Sequence, residues 1–187
     1  LAGAGSTGTL YVWDVTNGYA EKIAYKNTAD ITAVTFAPDN LRIVIGNELG
    51  QVKIITENSN LPARILSGHT AHIEQIVFNH AGTFMATTSR DSQVRLWNWL
   101  KPQDNPIVLD DHDEWVWSAT FSPDDEQLMI GIHTNREKSK ETIHVWPTKI
   151  ATMSNQLCGY VSRNMSKDEW DNYAEGLTYE KTCEQYP

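Results

Sequence analysis

The sequence has little cysteine, no long apolar run and an excess of acidic over basic residues. Only two of its 187 residues are cysteines, Cys158 and Cys183, and both lie near the C-terminal end. Two cysteines are too few for a disulfide scaffold, and their spacing matches no metal-ligand pattern. We therefore expect a reducing compartment, the cytoplasm, and leave a bond between the two cysteines open as the alternative.

The charge balance works against a nucleic-acid partner. Lys and Arg number 15 against 24 Asp and Glu, which gives a net charge of -9. Binding to a phosphate backbone depends on clustered Lys and Arg that displace counterions. The chain also lacks a run of about 18 apolar residues and a signal-peptide pattern in its first residues, so we expect neither nucleic acid nor a membrane as a partner.

The most informative feature that is present is a repeat with a period near forty residues. Short segments rich in β-branched residues each end in one large apolar residue: Trp13, Ile55, Trp97 and Trp146. In step with them, a phenylalanine precedes a turn-like segment three times: Phe36, Phe78 and Phe121. Two series with one period predict repeated units of strand, turn and strand, the pattern of a propeller blade.

The third unit resembles a repeat of the WD-repeat family. It carries Gly68-His69, a strand that ends in Phe78, the segment Met85-Ala-Thr-Thr-Ser-Arg-Asp91 and then Val94-Arg-Leu-Trp97. The neighbouring units match less well, because the second has Ile55 in place of the Trp and the fourth has Asp111-His112 in place of Gly-His. The resemblance covers roughly residues 1–147.

The resemblance implies an all-β fold, a segment of a WD-repeat β-propeller. The predicted strands, in chain order, are 1–5, 9–14, 20–25, 31–36, 41–46, 51–56, 63–66, 73–78, 84–89, 93–98, 106–109, 115–121, 127–132 and 142–146. They make two complete four-stranded blades, one blade without its first strand and one without its last, whereas closed propellers have about 4 to 8 blades. We therefore expect an open arc from the C-terminal part of a larger protein, with open blade edges through which it can self-associate.

A His, a hydroxyl group and an Asp recur in the third unit, and these are the parts of a nucleophilic triad. The resemblance implies a different role for them, a buried hydrogen-bond network that fixes the blade. Its members are His69, Thr87, Ser89, Asp91 and Trp97. We therefore predict a structural network and no catalytic residues.

Histidines could also suggest a metal site. His72 begins a predicted strand, however, while His80 lies beyond its other end, six to eight residues away at about 3.3 Å each. The two side chains cannot share one tetrahedral ion with His69, His112 or Asp113. We predict no metal and no cofactor.

Residues at the start of each first strand are the candidates for partner binding, because that edge is where the resemblance implies partner contacts. Alignment of Ile31, Ile73 and Val116 places three pairs at equivalent positions, and Arg90 joins them. The candidates are Trp115, Trp117, His72, Glu74, Asp30, Thr32 and Arg90. Aromatic residues and Arg dominate interface hot spots, although Trp117 could instead pack within the propeller.

The segment from 148 to 187 has helix signals. We predict a helix over 149–160 and a second helix opened by the capping box Ser166 to Glu169 and stopped by Gly176. With Trp170, Tyr173 and the two cysteines, this segment is similar to the tail of bacterial WD-repeat signalling proteins. We expect a helical tail packed on the propeller, with docking of a partner by the tail as the alternative.

The function expected from these features is that of a non-catalytic protein-interaction, sensor or scaffold module, whose partner is another protein or other domains of the same chain. Two alternatives remain. One is a purely structural propeller fragment without binding activity, and the other is an enzyme with a site at the propeller channel.

The segment 133–141 is a charged insertion between two predicted strands. We expect it to form a solvated loop.

Overall fold

The computed structural model describes residues 1–56, 62–110, 114–133, 143–173 and 178–186. The chain divides into two compact units, Leu1–Val145 and Trp146–Pro187. The strands of the described residues are β1 (Ala2–Ala4), β2 (Thr9–Asp14), β3 (Ala20–Lys26), β4 (Ile31–Phe36), β5 (Arg42–Asn47), β6 (Val52–Thr56), β7 (Arg64–Leu66), β8 (Ile73–Phe78), β9 (Phe84–Ser89), β10 (Val94–Asn98), β11 (Ile107–Leu109), β12 (Val116–Phe121), β13 (Gln127–Ile132) and β14 (Ile143–Pro147).

The described strands form four antiparallel sheets that follow one another along the chain. Their strand orders are β1-β2-β3, β4-β5-β6-β7, β8-β9-β10-β11 and β12-β13-β14. We refer to them as blades 1 to 4. Neighbouring blades contact through their first strands, β4 against β8 and β8 against β12. The predicted all-β fold is confirmed, with two four-stranded and two three-stranded sheets.

Among the described residues, two apolar layers lie one on each side of blade 2. Ile43 and Ile45 of β5 pack with Leu10 of blade 1, whereas Val44, between them in sequence, packs with Ile73 of blade 3. Successive side chains of a strand point to opposite faces. A strand covered on both faces therefore needs apolar residues at every position, which explains the uninterrupted run Ile43 to Ile45.

A β-bulge interrupts the first strand of blades 2, 3 and 4 at the same place. The register shifts between Ile31 and Ala33, between Ile73 and Gln75, and between Val116 and Ser118. The extra residues are Thr32, Glu74 and Trp117. A bulge redirects the side chain of its extra residue, so each of these residues leaves the alternation of its strand at the same edge of its blade.

The second unit contains two short helices, α1 (Ile150–Leu157) and α2 (Lys167–Tyr173). The predicted capping box opens α2: the backbone N–H of Glu169 donates to Ser166 Oγ, and that of Ser166 donates to Glu169 Oε2. Arg163 donates to both oxygens of the same carboxylate. These hydrogen bonds, first that of Arg163, lower the pKa of Glu169 to about 2.

A disulfide joins Cys158 and Cys183, with 5.6 Å between their Cα atoms. Both residues are buried. The buried side chain of Asn164 accepts from the backbone N–H of Cys183 and donates to the carbonyl oxygens of Cys183 and Tyr186. These bonds connect the loop before α2 to the segment around Cys183.

Several expectations fall on residues outside the described ranges. They are the Asp111-His112 pair, most of the charged insertion at 133–141, and the helix stop at Gly176. The placement of the tail against the propeller stays a prediction.

Candidate functional site

The edge of the blades that carries the bulges presents an equivalent set of three residues in each of blades 2, 3 and 4. The residue before the first strand is tied to the residue after the second by a backbone hydrogen bond: Glu48 N–H to Asp30 O, Arg90 N–H to His72 O, and His133 N–H to Trp115 O. The bulged residue adds the third member. We call this surface the rim: Asp30, Thr32 and Glu48 from blade 2, His72, Glu74 and Arg90 from blade 3, and Trp115, Trp117 and His133 from blade 4.

Arg90 joins blade 3 to blade 4 on the rim. Its guanidinium carbon lies 4.9 Å from the ring centroid of Trp115 and 5.8 Å from that of Trp117, both within cation–π range. Its Nε donates to Glu74 Oε1. The second oxygen of Glu74 lies 3.9 Å from His72 Nε2. Arg90 is therefore in contact with three other predicted rim residues, Glu74, Trp115 and Trp117. His72 lies beside this group.

Both Trp rings remain accessible. Trp115 is 41% exposed and Trp117 is 44% exposed, although each also contacts His133, at centroid distances of 6.2 and 5.5 Å. Trp117 is therefore not a fully packed core residue. The result is an aromatic surface in which one cation is already held in place.

His133 is a rim residue that the sequence reasoning missed. The signal for it is present in the sequence: Glu48, Arg90 and His133 each follow the first rim residue of their blade by 18 positions. Arg90 is recognisable in the sequence because it lies directly before the turn residue Asp91. In blade 4 the equivalent residue, His133, is the first residue of the charged insertion, so the sequence pattern does not show its equivalence to Arg90.

Asp30 and Thr32 occupy equivalent rim positions, but their hydrogen bonds run to other groups. The hydroxyl of Thr32 donates to the carbonyl oxygen of Ile73, 2.6 Å away in the next blade. The backbone N–H of Asp30 donates to Glu48 Oε1 at 3.4 Å. Thr32 thus connects blades 2 and 3, while Asp30 and Glu48 give the blade 2 end of the rim two carboxylates.

A hydrogen-bonded chain lies within blade 3, below the rim. Trp97 Nε1 donates to Thr87 Oγ1 at 3.0 Å, and Thr87 Oγ1 lies 2.8 Å from His69 Nε2. His69 Nδ1 lies 2.8 Å from Asp91 Oδ2. An ionised carboxylate only accepts, so Nδ1 carries the hydrogen of this last bond. Each group thereby has a partner, and the chain connects the third strand to the turn that carries Arg90.

Asp91 also fixes the loop before β8. Its carboxylate accepts from the backbone N–H of Thr70 and of Gln93, and Ser89 Oγ donates to the carbonyl oxygen of Ala71. Burial raises the pKa of Asp91, but the hydrogen bond and charge of His69 and the two backbone N–H groups outweigh it, so the pKa lies below its usual value.

This group of His69, Thr87 and Asp91 is closed to substrates. Thr87 has no exposed surface, and its oxygen is already bonded to Trp97 and His69. A nucleophile must reach the atom that it attacks. The arrangement stabilises the blade and offers no site for acyl transfer.

Two other kinds of feature are absent from the described ranges. No three His, Cys, Asp or Glu side chains there are grouped so that they could hold a metal ion. No described helix is long and apolar enough to cross a membrane.

Comparison with protein families finds a match in blade 3. Residues 60–98 match the family model described as WD domain, G-beta repeat. The matched range contains β8, β9 and β10 and therefore the whole hydrogen-bonded chain from Trp97 to Asp91. Residues 60–98 therefore carry one WD repeat, and the all-β sheets of the described residues are consistent with a partial WD β-propeller.

Similar proteins carry WD repeats or belong by name to complexes. The chain is 24% identical over 103 residues to "Target of rapamycin complex subunit wat1" of Schizosaccharomyces pombe, covering 54% of this chain and 33% of that protein. It is 32% identical over 85 residues to "26S proteasome regulatory subunit RPN14" of Saccharomyces cerevisiae, covering 45% and 20%. It is 33% identical over 95 residues to "WD repeat and SOCS box-containing protein 1" of Homo sapiens, covering 50% and 22%. The chain thus spans a fifth to a third of the length of these relatives.

Proposed function

We propose that this chain is a non-catalytic protein-interaction module, a scaffold or sensor, that binds a protein partner through the rim. The observation that carries the proposal is the position of Arg90, held by Glu74 against two half-exposed Trp rings. Trp and Arg are the residue types that dominate the binding energy of interfaces. Here three such side chains meet on one edge of two neighbouring blades.

The cluster is arranged before a partner arrives. The salt bridge to Glu74 and the contact with the Trp rings restrict the side chain of Arg90, and the chain from Trp97 to Asp91 fixes the turn that follows it. Ordering of free side chains at an interface costs about 0.5 to 1.5 kcal/mol for each. Because the side chain of Arg90 is already ordered in the folded chain, binding loses less side-chain entropy, and the contacts contribute more to the affinity.

The distribution of charge along the rim indicates how a partner is oriented on it. Asp30 and Glu48 bring two carboxylates to the end formed by blade 2, whereas blade 4 contributes aromatic rings. A complementary partner has an apolar or aromatic segment over Trp115 and Trp117 and a basic side chain toward Asp30 and Glu48. Such complementarity governs orientation and the association rate.

Two of the relatives support the proposal through their names, since each is called a subunit of a complex. Membership in an assembly fits a scaffold role. A cytoplasmic and bacterial signalling setting and self-association through blade edges are further predictions.

The proposal is tested by comparing partner capture by three forms of the 187-residue chain. The wild type, Trp115→Ala and the control Tyr160→Ala are used as baits, and bound proteins are quantified by mass spectrometry. Tyr160 is an exposed aromatic residue outside the rim. We expect a partner that is retained by the wild type and Tyr160→Ala and lost with Trp115→Ala.

Two results contradict the proposal. A partner retained equally by all three forms would place binding elsewhere on the chain. Absence of any specific partner would favour a structural propeller segment without binding activity. Circular dichroism of Trp115→Ala must match the wild type, which the exposure of the Trp115 ring leads us to expect.

A further inference from the structure

The opposite edge of blades 2 and 3 contains a groove that is separate from the rim. It has a volume of about 430 Å³ and is lined by the turns after β4, β8 and β10. The lining residues are Pro38, Asp39, Arg42, Ala81, Gly82, Trp99, Leu100 and Pro102. The volume lies in the range of ligand pockets, about 300 to 1,000 Å³, and is small enough to suit a few residues of an extended chain rather than a folded domain.

The base of the groove is apolar and rigid. Trp99 is buried, its backbone N–H donates to the carbonyl oxygen of Thr83, and its ring packs edge-on against Phe78 at 4.9 Å. Gly82 allows the two turns to approach, because a Cβ at this residue would lie 2.8 Å from Cβ of Pro38 and its φ is +66°. Any side chain at Gly82 would push the walls apart.

One wall is an apolar side chain that remains in solvent. Leu100 is 70% exposed and follows Trp99 directly. Its backbone N–H donates to Asn98 Oδ1, so the turn is fixed while the side chain itself stays accessible. Beside Trp99 and Pro102, it extends the apolar lining outward to the mouth of the groove.

The other wall presents a cation. The guanidinium carbon of Arg42 lies 4.3 Å from the centroid of the Trp99 ring, and Nε donates to Asp39 Oδ2 at 2.6 Å. Among the described contacts, neither terminal nitrogen of Arg42 has a hydrogen-bond partner. A guanidinium presents five N–H donors and pairs best with carboxylates in a two-bond arrangement. The contact with Trp99 therefore holds unused donors at the groove.

We propose that this groove binds an extended segment of a protein partner in which a carboxylate lies next to a large apolar side chain. The carboxylate pairs with the terminal nitrogens of Arg42, and the apolar side chain fills the space between Trp99, Leu100 and Pro102. Charge complementarity selects the carboxylate, since Arg42 is the cation of the lining and Asp39 already accepts from it. The carboxylate of Asp39 already accepts three hydrogen bonds, from the backbone N–H of Leu41 and Arg42 and from Arg42 Nε, so it has less capacity left for a basic segment.

The test uses a library of capped hexapeptides with four randomised positions, applied to the immobilised 187-residue chain. We expect the retained sequences to have Asp or Glu within two positions of Leu, Ile, Met or Phe. Binding of the retained peptides is then measured by fluorescence anisotropy with Arg42→Gln and Leu100→Asp. Each substitution should weaken binding by about tenfold or more. Arg42→Gln removes a hydrogen bond to a charged group, and Leu100→Asp removes apolar contact and places a like charge near the peptide carboxylate.

Matched controls separate the groove from other sites. Leu49→Asp makes the same change in an exposed turn with the same backbone bond, since Leu49 N–H donates to Asn47 Oδ1. Arg64→Gln removes an exposed Arg from β7. Both controls and Trp115→Ala should bind the peptides like the wild type, whereas loss of binding with Trp115→Ala would assign the peptides to the rim and overturn the groove proposal.

Three further results would overturn the proposal: no retained peptide, retained peptides without a carboxylate, or equal binding by Arg42→Gln, Leu100→Asp and the wild type. If Arg42→Gln disturbs the turn at Asp39, Leu100→Asp decides alone. Its side chain lies in solvent, so the substitution changes the groove without changing the core.

Discussion

The guanidinium of Arg90 lies over the ring of Trp115, 4.9 Å from its centroid, and thereby links the second turn of blade 3 to the entry of blade 4. This contact spans two repeats that are about forty residues apart in sequence. It depends on Glu74, whose largely buried carboxylate accepts from Arg90 Nε. The rim cluster is therefore a feature of two blades together, and neither blade forms it alone.

The pairing of Arg90 with Glu74 predicts a coupled effect on stability. Arg90→Met leaves the carboxylate of Glu74 without its cation, and we expect a loss of about 1 to 3 kcal/mol in the free energy of unfolding. Adding Glu74→Gln should recover at least half of that loss, because the unpaired charge is removed. Urea unfolding of the two single variants and the double variant measures the coupling. Additive losses would contradict the proposed dependence.

The buried network predicts a pH-dependent effect of Asp91→Asn. The amide keeps one acceptor but places a donor opposite the N–H groups of His69 and Thr70, so we expect a loss of about 1 to 3 kcal/mol at pH 7. The pKa of Asp91 is lowered in the folded chain. Its ionised form therefore adds stability above its unfolded pKa of about 3.9, and this contribution is lost as the pH falls further.

Urea unfolding of the wild type and Asp91→Asn at pH 7, 5, 4 and 3 measures this effect. The difference between the two proteins should stay constant down to about pH 5 and shrink below pH 4. Asp104→Asn, in an exposed turn, is the control and should match the wild type throughout. A difference that grows on acidification would show that the sign is wrong.

Blades 3 and 4 are also joined at their other edge by Asp125. Its carboxylate accepts from Asn79 Nδ2 at 3.1 Å, from the backbone N–H of His80 at 2.9 Å and from that of Ala81 at 2.8 Å. The residue has a φ of 58°, which Asn and Gly tolerate better than Ala. Asp125→Ala loses both the acceptors and this tolerance.

We expect Asp125→Ala to lower the free energy of unfolding, measured by thermal unfolding, by about 2 kcal/mol. Asp125→Asn should lower it by about half as much, because Asn keeps one acceptor and tolerates the positive φ. Asp125→Gly should lie between them, since it relieves the backbone strain but not the loss of the bonds. If all three variants were as stable as the wild type, the joint would contribute nothing.

The fold could be predicted closely from the sequence. Five strands begin and end at the predicted residues, among them Thr9–Asp14 and Ile73–Phe78, and the others differ by one residue at one or both ends. The reason is that two periodic series of large apolar residues marked both ends of the repeated hairpin. The alternation within each strand then set its register and its buried faces.

The site could be predicted only in part. Alignment of the repeats places Trp115 and Glu74 on one edge, and Arg90 joins them by its position before Asp91. The bulges that redirect Glu74 and Trp117 could not be predicted, because a bulge inserts one residue without a sequence pattern of its own. The groove at Trp99 was missed for a different reason. It is built from turns about forty residues apart, and their spacing depends on how the blades pack.

The bond between Cys158 and Cys183 predicts that the second unit depends on oxidation. The sequence left this bond open as an alternative, and the structure contains it. Sequence spacing alone could not decide, because pairing depends on the distance between the two Cα atoms. The bond closes a loop with a sequence separation of 25. By lowering the conformational entropy of the unfolded chain, such a loop adds about 3 to 4 kcal/mol to the free energy of unfolding. Reduction, or Cys158→Ser with Cys183→Ser, should remove this contribution.

Hydrogen exchange of peptides that contain Cys183 measures this loss, because the Cys183 N–H donates to buried Asn164. Exchange there should accelerate by roughly a hundredfold, the factor that corresponds to about 3 kcal/mol. Peptides from β8 and β9 serve as the internal control and should not change. Unchanged exchange at Cys183 in the reduced chain would show that Asn164 and the helices suffice.

The most direct test of the rim as an interaction surface is hydroxyl-radical footprinting of the chain bound to its captured partner, with oxidation read at single residues by mass spectrometry. Trp115 and Trp117 are half exposed in the free chain and therefore react, as does Tyr160 in the second unit. We predict that the partner protects Trp115 and Trp117 at least fivefold and leaves Tyr160 unchanged. Full reactivity of both Trp residues in the saturated complex would contradict the account.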